Sequence, residues 1–139
     1  MKKLISLDVG TKTIGIAKCF ADTRMFFPVC TLKRKSVKKD SIHISEICKS
    51  ELPSLIVVGL PLLADGTEGR MARLARQIGV ALGELIDAPI VYQDESDSSL
   101  EAQERLNHSN RNSRSHKDVI DQEAAIVILE RWLREGGGQ

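Results

Sequence analysis

Two rhythms of apolar residues run along the chain. Residues 4–7 are apolar except for Ser6 and predict a short strand, and Asp8-Val9-Gly10-Thr11-Lys12 predicts the turn after it. Residues 14–20 alternate apolar and small side chains, which predicts a second strand paired with the first as a hairpin. Residues 25–32 predict a third strand, followed by the basic connection Lys33-Arg34-Lys35-Ser36-Val37-Lys38-Lys39. A helix is expected over residues 41–52, with Ile44, Ile47 and Cys48 on one face and Pro53 at its end. The continuous run Leu55-Ile56-Val57-Val58 is of the fully buried strand type.

After a polar loop over residues 61–69, Met71, Leu74, Ala75, Ile78, Leu82 and Leu85 recur at spacings of three and four, the pattern of a long amphipathic helix. Residues 90–92 predict a fifth strand. Ser98 and Glu101 have capping-box spacing and predict a short helix reaching about Leu106. Residues 107–117 carry no apolar side chain and read as a loop, and residues 120–133 read as the last helix. An antiparallel start followed by βαβ units predicts an α/β fold with a mixed five-stranded sheet and helices on both faces. Sites in such sheets form beyond the carboxyl ends of the strands. That rule selects Asp8, Asp65 and the acids at 94–97.

Composition narrows the picture. A chain of 139 residues that is 42% hydrophobic and 28% charged fits one globular domain over residues 1–139 and argues against a disordered chain. No apolar run approaches the roughly 20 residues of a membrane span, and the start of the chain lacks the apolar stretch of a signal peptide. Net charge is +1, so only local clustering can indicate a charged partner. Cys19, Cys30 and Cys48 have no CxxC spacing and are odd in number. They are expected to be reduced, packed thiols of a cytoplasmic protein.

The acids carry the candidate chemistry. Asp8 follows an apolar strand directly, where a turn role competes with a functional one. Asp94 and Glu95 stand just past the fifth strand; a helix-capping role competes there, though Asp97 and Ser98 already meet that need. Asp121 shares a helix face with Ala125, Ile128 and Trp132. A carboxylate on an inward apolar face needs a counter-ion, unless it serves the helix dipole from the first turn. Three inward carboxylates from separate elements, without a matching inward Lys or Arg, point to a hard divalent cation such as Mg²⁺ or Mn²⁺.

Several stretches resemble one family in order along nearly the whole chain. Residues 7–17 (Leu-Asp-Val-Gly-Thr-Lys-Thr-Ile-Gly-Ile-Ala) are similar to the first motif of the YqgF/RuvX family. Residues 56–62 with Asp65-Gly66-Thr67-Glu68-Gly69, then Asp94-Glu95-Ser96, then Ile120-Asp121 with Ala124-Ala125 and Ile128-Leu129, resemble its later motifs. The resemblance implies an RNase H-like fold and a cytoplasmic nuclease. Family members are assigned to Holliday junction resolution or to maturation of the 5′ end of pre-16S rRNA in ribosome biogenesis. It carries the catalytic, metal-holding role onto Asp8, Glu95 and Asp121, with Asp8 bridging two ions, and leaves Asp65 open as ligand or loop former. Two departures stand out. Thr13 and Ser96 occupy places where the family usually has Arg, and each removes a forked phosphate-binding cation.

Nucleic acid is the expected partner, precursor rRNA ahead of branched DNA, with ribosomal particles as a possible context and no membrane. Lys12, Arg111, Arg114 and Lys117 are the expected phosphate contacts, the last three through their closeness in sequence to Asp121. The basic groups at residues 33–39 and at Arg70, Arg73 and Arg76 read equally well as solvated surface. Two competing functions are an actin-like or sugar-kinase phosphate hairpin and a non-catalytic RNA-binding module. The first needs two such domains; the second has little use for three inward acids.

Overall fold

A computed structural model describes residues 2–95 and 116–136. The described elements are β1 (Lys3–Val9), β2 (Thr13–Phe20), β3 (Met25–Lys33), α1 (Val37–Glu51), β4 (Leu55–Leu60), α2 (Arg70–Gly83), β5 (Ile90–Asp94) and α3 (His116–Arg134). The five strands form one sheet in the order β3-β2-β1-β4-β5. β1, β2 and β3 pair antiparallel, whereas β4 pairs parallel with both β1 and β5. This is the expected mixed sheet.

Alternation along the strands assigns each face. Ile5, Leu7 and Val9 join Ile56, Val58 and Leu60 in a core covered by α1 and α2, with Ile44, Ala75, Ile78 and Leu82 from the helices. On the opposite face Leu4 and Val57 join Ala125, Ile128 and Leu129 of α3. Ser6 and Asp8 share the period of Leu4, so β1 presents both toward α3. All six residues of β4 are buried, as expected of a central strand covered on both faces.

The strands run further toward one end than their apolar patterning indicates. Asp8 and Val9, expected in a turn, are strand residues paired with Gly15 and Ile14. β4 continues to Leu60 and β5 to Asp94 because paired neighbours satisfy their backbone groups. α1 begins at Val37 rather than residue 41, since Ser36 caps it by accepting a hydrogen bond from the Lys39 N–H at 3.1 Å. α3 begins at His116, so Lys117 is helical and not in a loop. The expected helix at 98–106 and the rest of the loop at 107–115 lie outside the described residues. Among the described residues no helix is long and apolar enough to cross a membrane.

Candidate active site

Three elements deliver acids to one end of the sheet on the α3 face. Asp8 is the penultimate residue of β1, Glu95 follows β5, and Asp121 lies in the second turn of α3. Glu95 is held by its backbone N–H, which donates to the Leu60 carbonyl at 3.3 Å, and the residue is buried. Its side chain lies against Gly59, where an added Cβ would stand 2.8 Å from Glu95 Cδ. A side chain at that position of a buried strand would displace the Glu95 carboxyl and the tip of Ile128. Gly15 makes room for α3 in the same way, since a Cβ there would collide with the Asp121 backbone carbonyl. The sequence places Gly15 in a tight hairpin; the structure gives it a different reason, the close approach of a helix.

A row of hydroxyls fixes the register of α3 on the sheet. Thr31 on β3 donates to the Asp118 carbonyl at 2.9 Å and accepts from Gln122 Nε2 at 3.1 Å. Thr13 on β2 donates to Asp121 Oδ2 at 2.7 Å. Ser6 on β1 donates to the Ala125 carbonyl at 2.6 Å. Asp121 is thus aimed by side chains from the strands it packs on, and it lies past the first helical turn where a dipole role would place it. Asp118 holds the first-turn position.

Desolvation pushes the Asp8 carboxyl above its usual range. A hydrogen bond from the Glu95 side chain opposes the shift, and the negative charge of Asp121 adds to it. Two carboxyl groups can hydrogen-bond only by holding a proton between them, because ionised carboxylates only accept. The three acids therefore act on one another, and among the described residues no cation is among the groups that shift Asp8. Among the described residues no three acidic, His or Cys side chains stand in a ready-made metal-holding arrangement. The donor set nonetheless suits a hard cation in kind, being all oxygen and mutually repulsive.

The other candidates separate. Asp65 is exposed, and its Oδ1 accepts from the Thr67 N–H at 3.0 Å and the Thr67 hydroxyl at 2.6 Å, the geometry of a loop former. Asp94 is exposed at the end of β5, its carbonyl accepting from Arg131 Nη1 at 3.4 Å. Lys12 is exposed in the β1–β2 turn. Arg111 and Arg114 lie outside the described residues. Arg76 is occupied by both oxygens of Glu68 at 2.6 Å and by the Tyr92 ring. Thr13, read from sequence as a lost arginine, is a partner of Asp121. Its hydroxyl at a strand start, two residues before Gly15, was the available signal.

The RuvX family model, described as Holliday junction resolvase, matches residues 2–135. The chain belongs to the RuvX family. It is 34% identical over 133 residues to a protein of Thermosynechococcus vestitus named "Putative pre-16S rRNA nuclease", covering 96% of this chain and 88% of the relative. A relative of the same name from Anaeromyxobacter dehalogenans is 37% identical over 131 residues, covering 94% and 96%. Among solved structures, Thermus thermophilus RuvC superposes with a TM-score of 0.61 at 12% identity, covering 96% of each chain. The same protein in complex with a Holliday junction substrate gives 0.57 at 15% identity, covering 98% and 97%. At those identities the likeness establishes the RuvC-like RNase H fold. This RuvX-family chain is a nuclease, an enzyme that hydrolyses phosphodiester bonds.

Proposed function

We propose that this RuvX-family nuclease cuts the 5′ leader of precursor 16S rRNA, using Mg²⁺ or Mn²⁺ held by Asp8, Glu95 and Asp121. The observation that carries this reading is the desolvated Asp8 carboxyl, bonded to Glu95 and facing the charge of Asp121. Such a group is costly to maintain without a cation to bind. The names of the relatives support the rRNA substrate.

When bound, a divalent ion supplies a water activated at neutral pH and offsets charge on the phosphoryl oxygens. The chain's own residues prepare for it. Asp8, Glu95 and Asp121 would hold the ion through their carboxylate oxygens, and Thr13 positions Asp121 by donating to its Oδ2. Lys12 in the turn after Asp8, with Arg111, Arg114 and Lys117 ahead of Asp121, contacts backbone phosphates and carries no base preference. The whole chain acts as one domain, in the cytoplasm, on ribosomal precursors.

A four-way DNA junction is the second reading, favoured by the description of the matching family model. Cleavage of a labelled 5′-leader RNA and of a four-way junction, each in Mn²⁺ or EDTA, separates the two. Metal-dependent cutting of the RNA that Asp8→Asn abolishes is the expected result. Cutting confined to the junction replaces the substrate, and undiminished cutting by Asp8→Asn removes Asp8 from the site. RNA binding without cutting, insensitive to EDTA, turns the reading into a binding module.

A further inference from the structure

The β3–α1 connection is the most basic segment of the chain, and the structure fastens it to the catalytic turn. Lys33, the last residue of β3, pairs with Thr13, whose hydroxyl holds Asp121. The Arg34 N–H donates to the Lys12 carbonyl at 2.9 Å, and Arg34 Nη1 donates to the Gly10 carbonyl at 3.4 Å. Arg34 Nε in turn bonds Asp40 Oδ2 at 2.8 Å, and the Lys35 N–H donates to Asp40 Oδ1 at 3.0 Å. Asp40 is 4% exposed, so its charge is spent inside this clamp. The Ser36 cap fixes the backbone of Lys39.

The clamp leaves Lys12, Lys33, Lys35, Lys38 and Lys39 exposed. Among the described residues none of the five is in an ion pair. Five cations on one rim are a segregation of charge, because the chain as a whole carries only +1. Their side chains are flexible, but their backbone is bonded to the turn that begins two residues after Asp8. Lysine in this setting suits a repeating anion at variable spacing, not a forked contact to a single group.

We infer that the rim formed by Lys33, Lys35, Lys38 and Lys39 beside Lys12 is a docking track for the sugar-phosphate backbone flanking the scissile bond. The inference rests on the nuclease site at Asp8. Arg34 and Asp40 act as positioning residues that tie the track to that site.

The test removes charge from the rim and, separately, the same amount from the far end of the molecule. One variant carries Lys33→Gln, Lys35→Gln, Lys38→Gln and Lys39→Gln; the control carries Lys2→Gln, Arg24→Gln, Lys49→Gln and Arg134→Gln, all exposed. Binding of the labelled 5′-leader RNA and of the four-way DNA junction is measured in EDTA across a salt series. The rim variant is expected to bind at least about tenfold more weakly at 0.1 M salt. The slope of log K against log salt should shrink by about 2–3, near one unit per lost phosphate contact. The control should stay within about twofold of wild type. A loss in both arms assigns the track to backbone phosphate in general, and a loss in one assigns it to that nucleic acid. A wild-type slope in both arms, or an equal loss in the control, overturns the inference. Asp8→Asn is carried alongside. Retained cleavage by that variant removes the site reading while leaving the binding result interpretable, and lost cleavage with an unaltered rim slope removes the track alone.

Discussion

Desolvation and the charge of Asp121 hold the Asp8 carboxyl above its usual range. Its folded-state pKa lies above the unfolded value, so the folded protein binds the proton more tightly. Stability from this group is full below the ordinary carboxylate range, about 3.9, and is lost as pH rises through the raised value. Asp8→Asn is therefore expected to raise Tm at pH 7, with the difference from wild type vanishing toward pH 3. The same substitution should lower kcat by roughly 10³-fold, the scale of several kcal/mol of lost electrostatic stabilisation. Added Mn²⁺ should raise the Tm of wild type and not of the variant. Thr13→Val removes a hydrogen bond to a carboxylate, which is worth about 1.5–3 kcal/mol. It should weaken Mn²⁺ binding measured by calorimetry by about tenfold or more, with Thr13→Ser restoring it. Burial pushes the Cys19 and Cys48 thiols up to about 11. Both should react with a disulfide reagent at neutral pH only after denaturation.

At the scale of elements, the docking of α3 decides whether the acids meet. Gly15→Ala drives a methyl into the backbone of α3, which no rotamer can avoid. A destabilisation of at least about 1–3 kcal/mol is expected in urea titration, with loss of cleavage while Asp8, Glu95 and Asp121 are all present. Asp40→Ala leaves Arg34 uncompensated at a side-chain exposure of 13% and should cost about 3 kcal/mol by the same measurement. The strand and helix types follow from periodicity, yet the ends at the site do not. β1 reaches Val9 because Asp8 and Val9 pair with Gly15 and Ile14, and a polar residue carries no apolar signal of that pairing. The α1 cap was readable in Ser36, but the surrounding lysines obscured it. The hydroxyl row of Ser6, Thr13 and Thr31 joins residues 87–119 positions apart, beyond any local pattern.

Across the whole molecule, the sheet order β3-β2-β1-β4-β5 puts the carboxyl ends of β1, β4 and β5 and the start of β2 at one rim. Lys3 and Lys18 bond Glu51 at the opposite end, closing α1 onto the sheet away from the site. Association with nucleic acid should accordingly weaken steeply with salt even though the net charge is only +1, if the lysines at 33–39 form the inferred docking track. By itself the sequence determined the alternation of strand and helix, the mixed sheet and the family, and it pointed to Asp8, Glu95 and Asp121 as the candidate acids. Those follow from local periodicity and from motifs, which short stretches of chain contain in full. Tertiary structure alone decided that Asp65 closes a loop, that Thr13 serves Asp121, that Gly15 and Gly59 make room for a helix and a carboxylate, and that the basic connection at 33–39 is bonded to the β1–β2 turn. Each depends on residues remote in the chain approaching within a few ångströms, and proximity of that kind is set by packing and pairing, not by any pattern within one segment.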